Sequence, residues 1–328
     1  MKQLSSEVLH HLQEITESPD LSDTKYRCIK RIGTGGMGTV FLAEDTELQR
    51  QVALKILSFP EAGADLAPRM MREARVLARL EHPSIVPVHD VGILQDGRVY
   101  YVMKLVKGKR LDEFVDDQVP LPELLWIFQK ICDAVAFAHT HGVIHRDLKP
   151  ENIMVSDFGE VLVMDWGLAK ALSSAEESVT SARLQQSAES DTQSGTIMGT
   201  PGYMSPEQAN GEVEGIDKRS DVYALGSILH FILTGMAPSS TSVWKTRTPK
   251  LLKAICKKAI SARKEDRYAS AAELSVDVER FLNGLSVSSY QENTFEKVGR
   301  WLDRNKFVVS LVLVYVLVRF LIYFLTRP

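Results

Sequence analysis

The spacing of apolar residues changes along the chain and divides it into two halves of different character. From Tyr26 to about Leu57, the short β-branched runs RCIKRIG, GTVFLAE and QVALKIL are broken by glycine. That pattern predicts a strand, a glycine turn and two further strands. Residues 66–80, LAPRMMREARVLARL, place leucine, methionine and valine at three- and four-residue spacing, as an amphipathic helix does. VYYVMKLV (99–106) is another apolar strand, and beyond it 121–141, 220–234 and 269–282 carry helical periodicity. A small β-rich half precedes a larger helical one, the outline of an α+β, two-lobed protein.

Three stretches break the pattern. Residues 1–25 are a polar leader in which Val8, Leu9 and Leu12 are too few to hold a helix alone. Its opening, MKQLSSEVLHHLQ, has no apolar centre, so no cleavable signal peptide is expected. Residues 172–198 are rich in serine and threonine, almost free of large apolar side chains, and expected to be mobile. Phe307–Leu325, FVVSLVLVYVLVRFLIYFL, is the opposite case. At ~1.5 Å per residue the run spans about 28 Å, close to the ~30 Å hydrocarbon core of a bilayer.

A transmembrane helix is therefore expected over 307–325, after a juxtamembrane linker (284–306) and before a tail (326–328) too short for a sensor domain. Arg319 lies six residues from the end of the run, where its guanidinium can reach the far interface. Lys297, Arg300, Arg304 and Lys306 precede the run and Arg327 follows it. The positive-inside rule then keeps everything before the span cytoplasmic.

Composition narrows the class. At ~150 residues per domain, 328 residues allow about two domains or one large two-lobed one. Thirty-nine basic against 42 acidic residues leave no cationic excess for nucleic acid. Cys28, Cys132 and Cys256 are far apart and form no CxxC pair, which excludes a disulfide framework or zinc module and fits a reducing compartment.

The candidate chemistry begins in the first glycine turn. Ile32, Gly33, Thr34, Gly35, Gly36, Met37, Gly38, Thr39 and Val40 spell IGTGGMGTV, where glycines let backbone amides close over phosphates. A tight hairpin explains the same residues, and a dinucleotide fold would place a helix next rather than a strand. Lys55 ends the apolar run VALK, and Glu73 on the following helix could pair with it. The decisive stretch is HRDLKPEN (145–152), which sets a carboxylate (Asp147), an ammonium (Lys149) and an amide (Asn152) in one loop. Phosphoryl transfer needs those three groups to orient the hydroxyl, neutralise the γ-phosphate and ligate magnesium.

At this point the sequence resembles the eukaryotic-type (Hanks) protein kinases, and in VMDWGLAK their bacterial, often membrane-anchored subgroup. The resemblance implies a two-lobed kinase domain over 26–283, with an N-lobe to about 105, a C-lobe from 106 and an activation segment at 165–207. It implies ATP and Mg2+ (Mn2+ as the alternative ion), protein substrates, and the serine/threonine form of the loop from the position of Lys149. Two aspartates compete for the metal. Asp157-Phe158-Gly159 spells the family motif but follows Asn152 by five residues, leaving no room for a hairpin returning to the phosphates. Asp165-Trp166-Gly167 follows it by the family's thirteen, so Asp165 is assigned the metal and Asp157 the turn.

The resemblance further implies Met103 as gatekeeper, Lys104 to Val106 as the adenine-binding hinge, and Val40, Ala53 and Met154 around the base. Leu77, Val88, His145 and Trp166 would stack between the lobes on Asp221, and Glu207 would pair with Arg267. Thr200 matches the threonine that bonds the catalytic Asp and Lys. Thr196, four residues before it, matches the activating phosphothreonine, with Ser194 a second candidate and Arg146 and Lys170 as its basic partners. Two departures are visible: a long activation segment, and a shortened Gly235–Arg267 region where substrates usually dock. The implied activity is a membrane-bound serine/threonine kinase of the bacterial inner membrane, self-associating for trans-autophosphorylation. A pseudokinase scaffold is the alternative, although Lys55, Asp147 and Asp165 are all present. A small-molecule phosphotransferase is disfavoured by the peptide-docking signature GTPGYMSPE.

Overall fold

The structure is a computed structural model, and it describes residues 19–35, 38–57, 71, 74–116, 118–166, 202–212, 215–238, 244–245 and 248–326. Its N-terminal part is a five-stranded antiparallel sheet built from β1 (Tyr26–Gly35), β2 (Gly38–Asp45), β3 (Arg50–Leu57), β4 (Val88–Ile93) and β5 (Val99–Lys104). The strand order is β1-β2-β3-β5-β4. Being central, β3 is buried on both faces from Val52 to Leu57. Its period of two sorts the side chains. Leu54 and Ile56 join Phe41, Tyr100 and Val102 on one face, while Ala53 and Leu57 join Tyr101 and Met103 on the other. Lys55 falls on the second face by alternation, which is why a lysine sits 5% exposed inside a strand.

A second sheet follows: β6 (Gly108–Arg110), β7 (Ile153–Ser156) and β8 (Val161–Val163), again antiparallel. The remainder is helical, with α1 (Leu121–Thr140), α2 (Lys218–Thr234), α3 (Lys250–Ala259) and α4 (Ala271–Leu282). These helices share one core: Leu125, Phe128, Ile131 and Val135 of α1 meet Leu225, Ile228 and Leu229 of α2, Ile255 of α3 and Leu274 of α4. The periodicity expected for 220–234 and 269–282 is present, with starts set by capping. Asp217 accepts from Arg219 N and starts α2 at Lys218; Ser270 accepts from Glu273 N and delays α4 to Ala271. The strand expected over 99–106 stops at Lys104, whose backbone N–H bonds Pro87 O. Of the 66–80 helix, residues 71 and 74–80 are described; 71 and 74–77 are helical, while 78–79 form a turn, so the helix ends before the expected bound.

The stretch expected as a linker, 284–306, begins packed on the helical core. Val287 is buried there, and Asp277 of α4 accepts from Ser288 N, Ser288 Oγ and Ser289 N. Helix α5 (Thr294–Arg304) then precedes α6 (Lys306–Thr326). The 18-residue window Lys306–Tyr323 has a mean hydropathy of 2.2, and none of it is buried.

Candidate active site

The glycine turn is held against β3. Gly35 pairs with Gly38 and Gly33 with Val40, continuing the β1–β2 ladder to its tip. Gly38 has φ +150°, and a Cβ there would lie 2.2 Å from Ile56 O, so only glycine fits. Ile32 and Thr34 are exposed, and Thr39 and Val40 half-buried. Val40 and Tyr101 flank Lys55 in register, and Ala53 faces Met103 across β3–β5. Val40, Ala53, Met103, Leu105, Val106 and Met164 pack in one cluster. Met154 is half-buried on β7, paired with Arg110 and Leu162, and Met164 rather than Met154 joins that cluster.

Lys55 Nζ donates to Asp165 Oδ1 at 2.6 Å and lies 5.9 Å from the centre of the Tyr101 ring. Burial and then the charge of Asp165 raise the Tyr101 phenol well above its ordinary 10. Asp165 has φ 54°, in the left-handed region that few non-glycine residues adopt. Asp157, by contrast, occupies the β7–β8 turn. Gly159 N bonds Ser156 O, Ser156 N bonds Glu160 O, and Phe158 is 97% exposed. Glu160 in the same turn pairs with Lys104 at 2.8 Å.

The HRDLKPEN loop hangs on one buried carboxylate. Asp221, at the start of α2, accepts from His145 N, Arg146 N and His139 Nε2 at 2.8, 2.9 and 2.8 Å. Burial pushes the Asp221 carboxyl up, but the side-chain bond from His139 and the backbone bond from His145 outweigh it and hold it low. Arg146 takes φ 64° so that successive N–H groups reach that one side chain. His145 Nδ1 accepts from Asp147 N, which leaves the proton on Nε2 to donate to Met164 O. Burial lowers the His145 pKa and keeps the ring neutral. Its ring centre lies 4.6 Å from that of Trp166.

Below this, Asn152 Nδ2 donates to Asp147 O at 2.8 Å and Asp147 Oδ2 at 3.2 Å, and Lys149 Nζ lies 3.7 Å from Asp147 Oδ2. Met164 N bonds Asn152 O, which ties the chain entering Asp165 to the loop carrying Asp147. Farther out, the Arg267 guanidinium grips Glu207 with two bonds, 2.7 and 2.9 Å, both side chains being buried. Ser220 Oγ donates to the same carboxylate, and Arg267 also bonds Arg219 O, Ser261 O and Ala262 O.

Gly36, Met37, Glu73, Lys170, Ser194, Thr196 and Thr200 lie outside the described residues, so the expected Lys55–Glu73 pair and activation-segment contacts do too. Tyr101, His139, Met164 and Gln208, whose Nε2 bonds Arg146 O, belong to the site and carry no sequence motif. Strand alternation around Met103 is the one signal that could have found Tyr101.

The protein kinase domain family matches residues 26–293. The serine/threonine-protein kinase PknB of Mycobacterium leprae is 37% identical over 299 residues, covering 82% of this chain and 45% of that protein. PrkC of Bacillus subtilis is 35% identical over 275 residues, covering 77% and 40%. The crystal structure of the Mycobacterium tuberculosis PknI kinase domain superposes with a TM-score of 0.57 at 26% identity, covering 78% of this chain and 95% of that one. The chain thus spans less than half the length of these curated relatives. With a glycine-tipped hairpin over Lys55 and a buried Asp221 holding the HRD loop, the chain belongs to the Hanks-type serine/threonine protein kinase family.

Proposed function

We propose that this protein transfers the γ-phosphoryl group of ATP to serine and threonine hydroxyls of proteins while anchored to a membrane by α6. The observation that carries the reading is a pair of lysine–carboxylate contacts, Lys55–Asp165 and Lys149–Asp147, joined through Asn152. The apolar cluster of Val40, Ala53 and Met103 would receive the adenine, with the Lys104–Val106 backbone at its edge. Among the described residues no group of three His, Cys, Asp or Glu side chains could hold a metal unaided. Magnesium asks for less: one or two oxygen ligands from the protein, with phosphates and water completing the shell. Asp165 and the Asn152 amide oxygen are such a set; they would hold Mg2+, or Mn2+, which supplies positive charge between the phosphates.

Asp147 orients the substrate hydroxyl and accepts its proton as the new oxygen–phosphorus bond forms and the bond to the departing ADP breaks. Lys149 places positive charge beside the transferring group, and Lys55 aligns the remaining phosphates. Lys55 is buried, so its ammonium acts in a water-poor site where that charge counts for more.

Autophosphorylation of the activation segment belongs to the same reading, at Thr196 foremost, between self-associating copies. The anchoring rests on the length of α6, on its unburied apolar window and on the basic residues that precede it, which favour a cytoplasmic domain at a bacterial inner membrane.

The test is magnesium-dependent transfer of labelled phosphate from ATP to a generic basic protein by the full chain. Asp147→Asn and Lys55→Met should each cost on the order of 10²-fold or more. Equal rates in wild type and both variants overturn the assignment, and ATP binding without any transfer by wild type favours the scaffold alternative.

A further inference from the structure

Helix α5 is amphipathic in the wrong sense for a soluble surface helix, which turns its apolar stripe toward the core. Here the polar stripe is the one bonded to protein. Glu296 accepts from Tyr290 Oη at 3.1 Å and lies 3.9 Å from Lys250 Nζ of α3. One turn on, Arg300 Nη1 donates to Glu292 Oε1 at 2.5 Å. Tyr290 itself packs on the helical core. The other face carries Val298, Trp301 and Leu302, at three- and four-residue spacing, and they are 52, 59 and 41% exposed. Three large apolar side chains in one stripe make a surface that needs an occupant.

The helix next in the chain indicates the occupant. One residue, Asn305, separates α5 from α6, and the joint is closed: Asn305 N and Nδ2 both bond Trp301 O, and Val309 N bonds Asn305 O. Helix α5 therefore runs directly into α6, none of whose apolar window is buried. Trp301 lies six residues before the apolar run, Lys297 and Lys306 flank it, and both lysines are exposed. Tryptophan and lysine at the edge of an apolar span are the groups that suit a headgroup layer.

We propose that α5 lays Val298, Trp301 and Leu302 into the interfacial layer of the bilayer that α6 enters, so that the kinase domain is docked on the membrane surface. The partner is a lipid surface, and anionic headgroups would meet Lys297 and Lys306. The domain follows α5 because the chain between them is fastened rather than loose. Asp277, 1% exposed, accepts from Tyr268 Oη as well as from Ser288 and Ser289. Asn293 caps α5 in a reciprocal box with Glu296. From α4 to α6 each stretch is thus hydrogen-bonded to the one before it, which fixes how the domain sits over the bilayer. This inference rests on α6 being a membrane span, and its test separates the two.

The full chain is reconstituted into vesicles of three parts phosphatidylethanolamine to one part phosphatidylglycerol and floated on a density gradient. The emission of Trp301 is isolated as the difference between wild type and Trp301→Phe, with and without lipid brominated high on the acyl chain. Flotation with on the order of a twofold loss of the Trp301 emission, and little quenching by aqueous iodide, is the expected result. Flotation with no lipid quenching and full iodide quenching overturns the docking while leaving α6 as the anchor. Exclusion of both quenchers places the stripe against protein, a second copy or another segment, and also overturns it. Failure to float overturns the anchor itself, and the docking with it.

Discussion

Lys55 Nζ and Asp165 Oδ1 lie 2.6 Å apart although 110 residues separate them, and the contact, with Lys104–Glu160 beside it, ties the N-terminal sheet to the rest of the chain. Lys55 brings a buried ammonium from the centre of β3, while Asp165 arrives with φ 54° directly after Met164 has bonded Asn152 O. Holding a non-glycine residue in that region costs of order 1–3 kcal/mol. The surrounding bonds at Met164 and His145 over-determine the turn that makes it.

Asp165→Asn should therefore lower phosphoryl transfer by on the order of 10²-fold or more, whereas Asp157→Asn should stay within about twofold of wild type. Asp157 is in an exposed hairpin turn, away from Lys55. Side-by-side rates at saturating magnesium decide it, and an essential Asp157 would reverse the assignment.

Tyr101→Phe keeps the ring beneath Lys55 and removes only the hydroxyl, whose proton the charge of Asp165 helps to hold. A polar interaction with a charged group is worth ~1.5 kcal/mol, so kcat should fall by about tenfold with the melting temperature nearly unchanged. An unchanged kcat would show that the hydroxyl does not help place Asp165.

Glu207 reports on acid stability. Burial alone would raise its carboxyl, but the bonds from Arg267 and Ser220 hold it at about 2 against an ordinary 4.5. A depressed folded pKa means the unfolded chain takes up the proton first. The stabilisation is therefore complete above about pH 4.5 and is lost as pH falls from there toward 2. Glu207→Gln should cost about 3 kcal/mol at neutral pH, leaving Arg267 buried without its carboxylate. Urea unfolding at pH 7 and pH 4 should show the difference between wild type and variant shrinking at the lower pH; a constant difference would contradict the linkage.

Removal of residues 307–328 should release the protein into the soluble fraction with kinase activity retained, since α6 contributes nothing to the helical core. The wash must include high salt, because Lys297 and its basic neighbours can hold the protein to anionic lipid electrostatically. A truncated protein still in the pellet after that wash would argue for another anchor.

Thr196→Ala should lower activity by about tenfold or more if its phosphate organises the activation segment, because a phosphothreonine carries about −1.5 to −2 charges for Arg146 and Lys170 to bind. Mass spectrometry of protein purified with ATP, compared with Asp147→Asn, should place self-transferred phosphate on Thr196 and, to a lesser extent, Ser194. Full activity in Thr196→Ala with no phosphate between Ser173 and Thr200 would remove the switch.

Much of this protein is written locally. The three strands around the glycine turn and the four segments of helical spacing follow from side-chain period, because burial on one face of a strand or helix imposes that period on the sequence. The β7–β8 hairpin, and with it the choice between two aspartate motifs, came from the room a hairpin needs after Asn152 and from the family's thirteen-residue spacing to Asp165. Side-chain period does not carry long-range partnership; the family resemblance supplied one such pair, Glu207 and Arg267, but not others. No spacing links His139, His145 and Asp221, yet the three meet because α1 and α2 pack against each other in one core. Tyr101 reads as one more apolar strand residue until strand order places it beside Lys55. The 284–306 stretch likewise reads as polar linker; only the buried Asp277 carboxylate, with bonds to satisfy, turns it into a fastened strap. A polar group taken out of water must find its partners in three dimensions, and where those partners lie far along the chain and no motif carries them, only the tertiary structure names them.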